Sequence, residues 1–329
     1  MMTPAASSQT SQRWRSSAWV TVAIFVVIAH FNPEILTGST KIEGYVTFAN
    51  LLAMLFYGLQ VALIADIAAR YRLGWRTIYL LGLVYGIFEE GFAVMTMESQ
   101  TPPGFSHMLR IFGLNTTWTI YIMIFHATIS VLASIMIIRL IWPERVSKPF
   151  LKRKHYVISC AILAAIYGGF IIFVTRRYVP ESSALLILGA VCILLLCLAR
   201  LEHKRPIPLP RTHGIRFYAL SSVGLVFAGY LIPFALGNVR SLEIPLTLIL
   251  LVIAVLFAKF FHTMDADSGM QKRTELIIFT ILVGFWAVFP IFFRTPASSL
   301  AAFVGFGAQV FLALRKIRLP ITENKVVGA

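Results

Sequence analysis

Charge is scarce in this chain, and acidic charge scarcer still: charged residues make up 13% of 329, with 14 Asp and Glu against 29 Lys and Arg. Soluble domains carry roughly 25% charged residues, so a water-exposed globular surface is excluded. Cysteine is also rare. The three present, Cys160, Cys192 and Cys197, form no C-x-x-C pair and have no nearby histidine, which excludes a disulfide framework and a cysteine metal site and leaves small apolar residues. No polar stretch is long enough for a separate soluble domain. What fills the chain is apolar: 58% of residues are hydrophobic and the mean hydropathy is +0.80.

The apolar runs are continuous rather than alternating, which specifies helices and not barrel strands. Ten spans are read, at roughly 18–34, 45–68, 76–97, 116–141, 156–175, 182–199, 216–236, 244–262, 275–293 and 298–314. With both termini cytoplasmic, 23 of the 29 Lys and Arg fall in inner segments and six in outer ones, so the positive-inside rule fixes the orientation. An odd number of spans would break this alternation. The net charge of +15 therefore reports topology and calls for no nucleic acid. The expectation is an all-α, polytopic transmembrane bundle in the cell membrane, with the lipid bilayer as its surroundings. The first run follows Arg13 and Arg15 like a signal peptide, but His30-Phe31-Asn32-Pro33 follows it in place of a small-residue cleavage site, so it is read as a retained helix.

Two stretches rich in Pro and basic residues, 142–155 and 201–216, break the chain. The expected organisation is a tail at 1–17, a four-helix unit at 18–142, a basic loop at 143–155, a six-helix unit at 156–314 and a tail at 315–329. The four-helix unit holds nearly all the unusual polar residues: Asp66, Glu89, Glu90, Asn115 and His126. Asp66 precedes Arg70 by four residues near the inner face and reads as a snorkelling ion pair.

Glu89 and Glu90, in YGIFEEGFAVMTM, are the informative feature. An ionisable group within a span costs about 2.5–3.5 kcal/mol, and two in succession call for a partner or a wet cavity. Glu90 lies roughly 10 Å below the outer boundary and His126 roughly 15 Å, at 1.5 Å per residue. The two helices are joined by a short loop, so a carboxylate and an imidazole meet at similar depth. Gly82, Gly86 and Glu90 recur every fourth residue, a row of small residues that admits a close helix. Asn115, Thr119 and His126 share one face of the next helix. At 100° per residue Glu89 points away from Glu90, so the two are not expected to reach one partner along the helix normal, and two adjacent carboxyls in low dielectric favour one ionised and one neutral group. The other histidines, His30 and His155 among them, read as solvated loop or helix-end residues; His107 adjoins the site in an outer segment, 98–115, placed to lid it.

The stretches YGIFEEGFAVMTM, GLNTTWTIYIMIFHATIS and IRLIWPE, covering about residues 80–144, resemble a family of uncharacterised prokaryotic multi-spanning membrane proteins with an E-E-G helix followed by an N-x-x-W and His helix. The Glu pair followed by a helical His is also similar to the intramembrane glutamic proteases of the CAAX-processing and bacteriocin-immunity type. That resemblance implies Glu89 and Glu90 as the E-E pair and His126 as the first His motif, activating water. The chain departs from that pattern with Val94 where the motif has Arg and Ile122 where it has an aromatic residue, and no later helix offers a deep His with an Asn. The reading is a membrane-embedded hydrolase, with Glu89 or Glu90 as general base, His126 as polariser and Asn115 orienting, acting on a membrane-embedded or lipid-like substrate without a cofactor or metal. The alternatives are a proton- or cation-coupled carrier and a non-catalytic accessory subunit.

Overall fold

In the computed structural model, residues 17–98, 109–175, 179–204, 212–237, 239–267 and 272–318 are described. Ten long helices stand where the ten apolar runs were read: α1 (Ala18–Leu36), α2 (Phe48–Tyr71), α3 (Trp75–Gly86 continuing through Ile87–Ala93), α4 (Thr116–Ile141), α5 (Arg153–Thr175), α6 (Ser182–Lys204), α7 (Ile215–Leu236), α8 (Glu243–Ala266), α9 (Lys272–Val288) and α10 (Pro296–Arg318). Eight of them are long and apolar enough to span a bilayer unaided. The exceptions are α3, which carries Arg76, Glu89 and Glu90, and α9, which has 17 residues before it breaks ahead of Pro290. Both are held by their neighbours, so their shortfall in apolarity is met by protein and not by lipid.

Contacts between helix ends respect the alternation read from charge. At the inner end, Arg76 pairs with Glu202 at 3.0 Å and Arg139 with Glu275 at 3.6 Å. At the outer end, Thr295 donates to Glu43 at 2.8 Å, Ile42 N donates to the Ser298 hydroxyl, and the Thr117 and Thr247 hydroxyls lie 2.6 Å apart. The Glu43 carboxyl is held below its ordinary range, first by its own backbone amide and then by the Thr295 hydroxyl. Each pair joins segments that a ten-span count puts on one side.

α4 is the axis of the bundle. Its most apolar window is 94% buried, against 50% or less in the other spanning helices. Packed around it are α1, α3, α8 and α9. The outer loop before α4 departs from the helical expectation: Arg110–Ile111 and Leu114–Asn115 form a two-residue antiparallel pair. Phe112 and Gly113 both have positive φ, the backbone of a two-residue hairpin turn of type I′. The lid expected at 98–115, with His107, otherwise falls on residues 99–108, outside the described residues.

Asp66 does more than pair with Arg70. Its side chain is fully buried and accepts from Arg70 at 2.9 Å, from the Phe150 and Leu151 amides at 2.5 and 2.7 Å, and from the Tyr156 hydroxyl at 2.6 Å. It thus keeps the ion pair read from its spacing and is also the anchor of the basic inner loop, because two backbone donors distant in sequence reach it. Arg70 is 39% exposed, and exposed pairs contribute little. Asp66→Ala is therefore expected to cost on the order of 3 kcal/mol by stranding buried donors, and Arg70→Ala less than about 1 kcal/mol. Thermal unfolding of the two detergent-solubilised variants checks this; equal losses would refute the anchor.

Candidate functional site

Three helices that meet at the site widen into π-helix, α1 at Phe31–Leu36, α3 at Ile87–Ala93 and α4 at His126–Ala133, and α7 does so at Phe227–Leu231. Such segments are rare and frequently mark functional positions, because each forgoes the regular i→i+4 ladder. The first three carry Glu34, Glu89, Glu90, His126 and Ser130 between them. The site is built where the helices are locally overwide.

α3 is placed by a partner and not by its own cap. Gly74 precedes it without a side chain, and Asp265 of α8 accepts from the Trp75 and Arg76 amides at 2.5 and 3.0 Å. A Cβ at Gly74 would sit 2.5 Å from that carboxylate, so glycine leaves room for a helix cap donated from elsewhere. Along α3, Gly82 and Gly86 receive α4 directly. A Cβ would lie 2.7 Å from Ala127 Cα at Gly82, and 3.1 Å from Met123 Cα at Gly86. This close approach brings His126 against the glutamates.

The imidazole of His126 is clasped from both sides. Glu89 Oε2 lies 3.1 Å from Nδ1 and Glu90 Oε1 lies 3.1 Å from Nε2. The expectation that the two glutamates could not share a partner is overturned, because long side chains straddle a flat ring and the backbone at 87–93 is π- and not α-helical. Nδ1 also lies 2.9 Å from the Ser130 hydroxyl. Glu90 accepts from the Thr96 hydroxyl, which in turn accepts from Trp118 Nε1 at 3.0 Å. The Glu89 side chain is 1% exposed and that of Glu90 12% exposed, so Glu90 is the more accessible of the two.

A second layer was not legible in the sequence. Tyr57 donates to Glu34 at 2.8 Å and Thr40 donates to the other oxygen of Glu34 at 2.6 Å. The Tyr57 and Tyr85 rings lie 6.1 and 5.7 Å from that of His126, and both hydroxyls face Glu89. His30 is not solvated as expected: it is buried between Tyr45 and Tyr57, because the chain beyond it folds back over the end of α1. His155 is likewise buried, against Trp19. The signal that could have found Glu34 is the one that found Glu89, an acid beside an apolar run.

Asn115 lies elsewhere. Its Oδ1 accepts from Arg110 at 3.0 Å and its amide donates to Met97 O at 2.8 Å. Eleven residues of helix put it about 16 Å from His126 along the axis. Thr119, on the same face, lines a cavity of about 290 Å3 with Met123, Leu83 and Leu188. That cavity abuts the glutamate turn, since a Cβ at Gly91 would meet Leu188 at 2.7 Å.

An all-helical bundle with buried acids and hydrophobic outer faces defines a multi-pass integral membrane protein. More particularly, the chain belongs to an uncharacterized membrane protein family, matched over residues 23–320. No curated protein and no solved structure matches it.

The close approach of α3 and α4 gives a direct test. Gly82→Ala is expected to lower stability by about 1–3 kcal/mol through overpacking against backbone, while Gly168→Ala, where nothing lies within 4 Å, is expected to cost nothing. Melting curves of both variants in detergent decide it; a harmless Gly82→Ala would mean that the helices do not depend on this contact.

Proposed function

We propose that the protein is a membrane-embedded hydrolase whose water-activating centre is Glu89, Glu90 and His126, acting on an amphiphile that enters from the bilayer. The observation that carries this reading is the double clasp of one imidazole by two carboxylates within the spans. Holding two helices together calls for one such contact, and membrane hydrogen bonds average only about 0.6 kcal/mol. Glu90, the more exposed carboxylate, takes the proton of a water as the water oxygen adds to an acyl carbon. Collapse of the adduct breaks the carbon–heteroatom bond, and the same proton passes to the leaving oxygen or nitrogen. His126, fixed by Glu89 and Ser130, places an N–H beside the developing charge. Asn115, about 16 Å away by the same helical rise, is given no part in this step.

A lipid-like substrate is supported by the cavity beside the glutamate turn. It shares Leu83, Leu251 and Ala254 with a second cavity of about 540 Å3, which continues between α3, α6 and α8 to Arg76, Lys259 and His262 at the inner end. The walls are almost wholly apolar between polar ends. An acyl chain lying there would reach Leu188, which packs on Gly91 beside Glu90.

One observation favours a proton-coupled carrier as the second reading. Below His126 and Ser130, Ser134 accepts from Asn32 at 3.2 Å, and Asn32 accepts from Gln309 at 2.9 Å. Polar groups thus continue two turns deeper than His126. In proteoliposomes offered a panel of acyl esters, acyl amides and lipopeptides, the hydrolase reading expects product release, lost by at least about 100-fold in Glu90→Gln and His126→Ala. Pump-free proton flux that survives without product release, and is lost in Glu90→Gln, would replace it with the carrier.

A further inference from the structure

Two carboxylates and an imidazole are gathered at one buried point of the bundle: Glu89 lies 3.1 Å from Nδ1 of His126 and Glu90 lies 3.1 Å from Nε2. They form a mixed oxygen and nitrogen donor set of the kind that divalent first-row ions take.

The three side chains are gathered closely enough to converge on one ion. One donor atom from each of Glu89, Glu90 and His126 lies within 4.8 Å of the others; about 3.4 Å separates ligands around a tetrahedral ion with 2.0–2.1 Å bonds, so binding draws Glu89, which meets the ring at Nδ1, toward the Nε2 side. The 3.1 Å between Nε2 and Glu90 Oε1 is already a ligand–ligand edge. Ser130 at 2.9 Å from Nδ1 is the second partner that a metal-bound histidine needs to fix its tautomer, leaving Nε2 free to ligate. Glu89 Oε2 is buried and meets His126 Nδ1 at 3.1 Å without a well-aligned hydrogen bond, so it keeps capacity for a ligand. Three protein ligands leave a fourth position for water, the arrangement of a catalytic and not a structural site.

We propose that Glu89, Glu90 and His126 bind one divalent first-row metal ion, Zn2+ or Mn2+ by their mixed carboxylate and imidazole donors. The site is assigned from ligand placement; with an ion bound, Glu90 and His126 Nε2 would hold it in place of the base and N–H roles given above, and because metal content is measured without any substrate the two readings fail separately.

The test is elemental analysis of the full-length protein purified in detergent without chelator, followed by removal of metal and titration with Zn2+, Mn2+ and the spectroscopic probe Co2+. The expected result is about one ion per chain. Co2+ should give visible absorption bands from nitrogen and oxygen ligation, and metal should raise the melting temperature. Glu89→Gln, which keeps shape and packing, should weaken binding by at least about 100-fold, and Ser130→Ala by about 10-fold through the second partner. A folded wild-type chain that neither carries nor takes up any of the three ions would overturn the proposal. Binding left unchanged in Glu89→Gln would overturn it equally, by placing the metal elsewhere.

Discussion

One imidazole held between two carboxylates within the spans sets the terms for the rest of this structure. Charges in hydrocarbon are tolerated only where partners and protein surround them. Most of the unusual features of the bundle serve that requirement. α4 is the most enclosed helix because it carries His126. Gly82 and Gly86 remove side chains from the contact surface of α3, so that the ring comes within reach of both glutamates. Asp265 caps α3 from α8 and so sets the level at which Glu89 and Glu90 stand. The cost of ordering these groups is spread over several helices, which makes the bundle, and not any one helix, the unit that specifies the site.

The π-helical segments are the local expression of the same constraint. A π turn leaves one residue more per hydrogen-bonded loop than an α turn and so alters which side chains share a face. Where α1, α3 and α4 all adopt it at the site, the interior widens enough to admit Glu34, Tyr57, Tyr85 and His126 together. The glutamates could not be assigned to one partner by counting 100° per residue, because that angle does not apply between Ile87 and Ala93.

Much of the fold was legible because membranes simplify the reading: apolar length gives the helices, and the placement of Lys and Arg gives the alternation of their ends. Glu89, Glu90 and His126 stood out for the complementary reason, polarity where hydrocarbon was expected. The pairings that complete the network were not legible. Asn32 with Gln309 joins the first helix to the last, and Glu34 with Tyr57 crosses from α1 to α2. Neither follows from spacing along one helix. Asp66 shows the same limit in miniature: its i+4 partner Arg70 could be read, whereas the amides of Phe150 and Leu151 could not. Sequence reveals that a polar group must be satisfied, while only tertiary structure reveals by what.

The two halves of the functional reading meet at α3. One face of this helix presents Gly82 and Gly86 to α4 and thereby positions the reactive cluster. Leu83, one residue along, lines both apolar cavities. A single residue of rotation therefore separates the surface that assembles the site from the surface open to an amphiphile. On the reading proposed above, bulk added at Gly82 would act on the cluster, whereas bulk added at Ala254, in the lining of both cavities, would obstruct the apolar path. Seating of a substrate and placement of Glu90 would then depend on two faces of one helix.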